Sequence, residues 1–195
     1  QVSTARRVSR VEPFRIAPFR VAYVPGVMPG KWERVWRERR RRPLELVRVE
    51  VEDQETAIRD GLVDMSLVRG EVDRDLMHLI PLYREVPVVV APVEHPVSAY
   101  DEIDVAELGG ELDVLAEFPE ITLKQAIETV AAGTGIVIVP MSLARLHHRK
   151  DVVHRPVTGV EESPVGLAWL RERDDEDVQA FIGIVRGRSS RSSRS

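Results

Sequence analysis

Residues 122–140 read TLKQAIETVAAGTGIVIVP, and this stretch decides the fold class. Thr122 is placed to cap a helix. Ala126, Ile127, Val130 and Ala131 then recur at helical spacing as an apolar stripe. Gly133 stops the helix, because glycine enters the left-handed region at low cost. Gly135 completes a tight turn. Ile136, Val137, Ile138 and Val139 form a continuous β-branched run, the pattern of a strand covered on both faces, and Pro140 ends it. A helix, a glycine turn and a covered strand predict an open α/β sheet, in which ligands bind at loops beyond the carboxyl ends of the strands.

The chain upstream agrees. Residues 19–23 alternate as a strand and residues 24–30 form a loop. Residues 31–41 make a helix with Trp32, Val35 and Trp36 on one face. Arg39 to Arg42 form a basic run, read as favourable charge at a helix end and a solvated face. Pro43 stops the helix. A second strand follows over 44–51, a short helix over 54–61 and a third strand over 63–68. This β-α-β-α-β order predicts a parallel sheet with right-handed crossovers.

Composition narrows the function classes. The 195 residues carry a formal net charge of −4 with acids and bases mixed, which argues against a dedicated nucleic-acid surface. There is no cysteine, so disulfides, thiolate zinc sites and a cysteine nucleophile are excluded. No apolar run reaches the ~20 residues that span a membrane. The N-terminus has no apolar signal region, and the expected location is cytoplasmic.

Several segments carry a family resemblance. VAAGTGIVIVP at 130–140 resembles the VAAGxGIxxxP segment of the effector-binding domain in LysR-type transcriptional regulators. Residues 57–68 resemble that family's LxxGxxDxxIV unit, residues 79–91 its PLY-containing strand pair, and residues 94–97 its xHPL. Residues 103–108 match its short helix, 165–169 its late returning strand and 181–185 its last helix, so the resemblance covers residues 17–188 in order. It implies an α/β, two-lobed, type 2 periplasmic-binding-protein-like fold with open sheets and a hinge. Lobe I is expected over 17–92 and 164–188 and lobe II over 93–163. Residues 1–16 read as a disordered leader and 189–195 as a disordered Arg/Ser tail. The family's helix-turn-helix is not expected within this chain. The second lobe reads as shortened, because only residues 109–121 stand where the family has more elements.

Four places are candidates for ligand contact. The first is Pro25, Gly26, Val27 and Met28, before a helix whose N–H groups and dipole favour a carboxylate or phosphate. The resemblance implies a hydroxyl at position 26, which glycine lacks, so backbone N–H would serve instead. The second is Arg69, which either pairs with an anionic ligand or is a surface arginine held by Glu71 or Asp73. The third is Thr122, which caps its helix and could face the cleft. The fourth is Thr134 and Gly135, alternatively plain turn geometry. His147, His148 and His154 fit no standard zinc spacing, and His95 reads as a turn residue rather than a base. No catalytic residue, metal site or cofactor motif is read, so an enzyme is not expected.

The expected function is a small-molecule sensor, its effector anionic, that regulates transcription through ligand-linked lobe closure. The expected assembly is a homodimer, with no membrane association and no direct DNA contact by this chain. A protein that heterodimerises with a full-length regulator is the first alternative. An enzyme on the same fold is the second.

Overall fold

The computed structural model describes residues 15–187. The expected leader, apart from Arg15 and Ile16, and the expected tail lie outside the described residues. The first elements are β1 (Phe19–Tyr23), α1 (Gly30–Arg39), β2 (Leu44–Arg48), α2 (Gln54–Arg59) and β3 (Met65–Arg69). Then come β4 (Met77–Glu85), β5 (Pro87–Pro92), β6 (Ile103–Asp104), α3 (Val114–Glu117), α4 (Leu123–Ala131) and β7 (Val137–Pro140). The last are α5 (Met141–Leu146), β8 (Val152–Thr158), β9 (Ser163–Leu170) and α6 (Glu176–Val185).

Two sheets result. The first has the order β2-β1-β3-β9-β4 and the second β6-β8-β5-β7. β2, β1 and β3 are parallel, as two successive crossover helices require. β9 returns antiparallel between β3 and β4. The fold is the expected α/β, two-lobed, type 2 periplasmic-binding-protein-like arrangement.

Apolar residues cover both faces of each sheet. On one face of the first sheet, Phe19 stacks on Trp36 with ring centroids 5.0 Å apart, and Phe181 of α6 tilts against both. Trp32 and Trp36 therefore turn inward, and α1 is fixed to the sheet by its largest side chains. The other face carries Ala22, Val68 and Ala168 against Ile58 of α2. In the second sheet, Val88, Val90, Val137 and Val139 pack against Ala126, Ile127 and Val130 of α4. Val89, Ala91 and Ile136 pack against Val97 and Leu108 on its far side.

The structure departs from the sequence reading, or adds to it, at three places. Residues 87–92 are expected in the first lobe, but β5 pairs with β7 and β8 in the second sheet. The chain changes sheet at Val86, because β4 ends at Glu85 once its pairing with β9 runs out. The run 136–139 is covered on both faces as expected, yet β7 is an edge strand antiparallel to β5. Just before it, Ile136 forms an isolated parallel bridge to Asp113 of the segment 109–121. The basic run after α1 is only partly solvated. Arg40 and Arg42 both reach Asp177 of α6 at 2.6 Å, which ties the end of α1 to the start of α6.

Candidate functional site at the junction of the sheets

The two chain crossings lie side by side. Glu85, the last residue of β4, is in register with Ser163, the first of β9, so Val86 and residues 159–162 carry the chain between the sheets at neighbouring points. The carboxyl ends of β1 and β3 open onto this junction. There the 24–28 loop and Arg69 come together, as the open-sheet argument requires.

Arg69 is held on every side. It is 8% exposed and Glu85 is 7% exposed. Its Nε donates to Glu85 Oε2 at 2.8 Å and its Nη2 to Glu85 Oε1 at 3.1 Å, a two-pronged ion pair. Nη1 donates to the Pro25 carbonyl at 2.9 Å. Nη2 also reaches Ser142 Oγ at 3.3 Å, and that hydroxyl donates to Glu85 Oε1 at 2.5 Å. The Gln54 side chain clamps the Arg69 backbone, donating to its carbonyl at 2.8 Å and accepting from its N–H at 3.0 Å. The surface alternative for Arg69 does not hold: its partner is Glu85, not Glu71 or Asp73, and it lies inside the junction. β3 is a central strand whose end lies beneath the crossing, so its last side chain is covered.

Ser142 brings the second sheet to this cluster. It is the second residue of α5, directly after β7. Gly26, at φ 89°, lies against it: a Cβ there would sit 2.5 Å from Ser142 Oγ and 3.1 Å from Arg69 Nη2. Ser142 Oγ, from α5, thus stands where a side chain at position 26 would begin. Val27 is buried in the first core, whereas Met28 is 79% exposed beside the junction.

The other candidates are elsewhere. Thr122 caps α4 in a reciprocal capping box with Gln125. Thr134 and Gly135 sit beyond the opposite end of that nine-residue helix, roughly 13 Å along its axis. One small ligand therefore cannot touch both Thr122 and the 134–135 turn. Gly135, at φ 71°, packs on the Leu112 carbonyl, which accounts for the glycine by turn geometry.

α5 runs on from Ser142 to a second group of cations. Burial pushes the His147 imidazole below its ordinary value, and Arg48 at the end of β2 and Lys124 in α4 push the same way. His95 Nδ1 caps the turn at Val97, and its Nε2 lies 2.6 Å from Glu111, a structural role. Among the described residues no group of three or more metal-ligating side chains converges.

Sequence reasoning missed Glu85, Ser142 and Gln54. Glu85 carried one signal: it is an acid within PLYREVPVVV, between two apolar strands, where the pattern leaves it no obvious surface. Ser142 carried none, because its partners are distant in sequence.

The model for the LysR substrate binding domain matches residues 34–120 and 122–190. The chain belongs to this LysR family. Its curated relative, the Hca operon transcriptional activator HcaR of Escherichia coli (strain K12), is 29% identical over 171 residues, 74% of this chain. The chain spans 57% of that relative's length. Among solved structures, the BenM effector binding domain with its effector benzoate superposes with a TM-score of 0.73 at 16% identity. That match covers 87% of this LysR chain and 90% of the other. The reduced form of the OxyR regulatory domain from Pseudomonas aeruginosa gives 0.66 at 21%, covering 88% and 96%. These similarities establish the fold, and the family is one of transcriptional regulators.

Proposed function

We propose that this chain is the effector-sensing part of a LysR-type transcriptional regulator, and that its effector is a small anionic metabolite bound where the two sheets meet. The observation that carries the reading is the convergence of the 24–28 loop, Arg69 and Ser142, drawn from both sheets, beside the two chain crossings. A neighbour of the same fold takes benzoate, an aromatic carboxylate. Exposed Met28 offers such a ligand a flexible apolar side chain.

The mechanism is a population shift. The effector binds one relative arrangement of the lobes better than the other and stabilises it, with rotation at the two crossings. The ligand is sensed and not transformed. The protein acts in the cytoplasm and pairs as a homodimer through the outer, charged face of α1, since its tryptophans are committed to the core. In this reading the chain itself does not touch DNA.

The test is a thermal-shift screen of benzoate, other small carboxylates, phosphates and amino acids. A true effector gives a saturable rise, because it binds only folded protein; at a hundredfold excess over Kd the stabilisation is about 2.7 kcal/mol. Silence from every anion would overturn the reading.

A further inference from the structure

The corner formed by Arg69, Ser142 and the Pro25 carbonyl has the chemistry of a carboxylate site. It holds a guanidinium fork, a hydroxyl and a glycine backbone with no side chain in the way. It is also full, because the carboxylate in the fork is the protein's own Glu85. Of the five guanidinium hydrogens, two go to Glu85, one to Pro25 and one to Ser142, so at most one remains for a ligand.

We propose that this corner is a carboxylate seat occupied by Glu85 as a built-in counter-anion, and that an acidic effector enters by exchanging its carboxylate for that of Glu85. The inference rests on the sensor reading above and adds a competitor to it. A tethered carboxylate competes at the high effective concentration of an intramolecular partner. A simple acid therefore fails to displace it, whereas an effector with further apolar contacts succeeds. Glu85 thereby sets which acids are sensed and at what concentration. The exchange is also coupled to conformation. Glu85 ends β4, only Val86 separates it from β5, and Ser142 binds both members of the pair from the second sheet. Moving the Glu85 carboxylate out of the fork breaks the Ser142–Glu85 bond and leaves only the longer Arg69–Ser142 bond as that tie.

The experiment is chemical rescue. Glu85→Ala leaves a buried guanidinium facing a space the size of acetate. Acetate, with chloride at matched ionic strength as control, raises the thermal midpoint of Glu85→Ala by about 3–5 °C at tenfold saturation and leaves the wild type unchanged. Adding Arg69→Gln abolishes the rise. Benzoate binds Glu85→Ala at least tenfold more tightly than the wild type. If Glu85→Ala does not fold, Glu85→Ser with formate carries the same test. The proposal is overturned if acetate and chloride act alike, if the rise survives Arg69→Gln, or if the wild type responds as strongly as the variant. Rescue of Glu85→Ala alongside a wild type silent to every compound leaves the seat standing and removes the sensor. A wild type that responds to an acid without rescue in the variant does the reverse.

Discussion

At the scale of single residues, two positions test how closely the interior is satisfied. Ser66 in β3 is fully buried, and among the described residues its hydroxyl has no hydrogen-bond partner. A buried hydroxyl without a partner costs about 1–3 kcal/mol in lost hydration. Ser66→Ala is therefore expected to be neutral or stabilising by up to about 1 kcal/mol in urea unfolding, although most buried substitutions destabilise. Gly26→Ala goes the other way. Its φ of 89° disfavours any Cβ by roughly 1–2 kcal/mol, and the new methyl would press on Ser142 Oγ and Arg69 Nη2. The variant is expected to lose at least that much stability. Amide exchange in the 24–28 loop and in α5 should speed up together, which links the loss to the junction; an unchanged α5 would sever that link.

Among the elements, α5 is the piece that spans the junction, from Ser142 beside Arg69 to His147 in the field of Arg48 and Lys124. His154, in β8, is likewise held below its ordinary value, by burial first and then by Arg145, Arg155 and His148. In the unfolded chain both imidazoles return to about 6.5, so at mildly acid pH the unfolded state binds more protons than the folded one. The histidine contribution to stability is complete above about pH 6.5 and is lost as pH falls through the lower folded values. The urea midpoint should drop on acidification through that window, and His147→Gln with His154→Gln should flatten the drop. Most elements were legible in the sequence. Helix 122–131 announced itself through its cap, apolar spacing and glycine stop, because those are local forces. Strand β7 was legible as a covered strand, but not as an antiparallel edge, since its ladder partner β5 lies about 50 residues upstream. Arg69 was legible as a residue at a strand's ligand end; its partner was not. No local rule connects residue 69 to residues 85 and 142.

For the whole molecule, the position of β9 governs how the chain can fold. β9 lies between β3 and β4, with Ser66 opposite Ala168 and Leu79 also opposite Ala168. Until residue 170 is available, β3 and β4 have no strand between them and each presents a bare edge, while the whole of the second sheet is encoded within residues 87–158. During synthesis the inner lobe can therefore close before the outer one, although the outer one begins first. A chain truncated before Ser163 should retain the second sheet, expose the bare edge of β3 with its buried Met65, Leu67 and Val68, and accumulate as aggregate. Synthesis of residues 163–170 on a separate peptide should restore solubility if supplied while the truncated chain is still being made. The late strand thus acts as a completion mark: a chain that stops short of residue 163 differs from the finished one by an open first sheet.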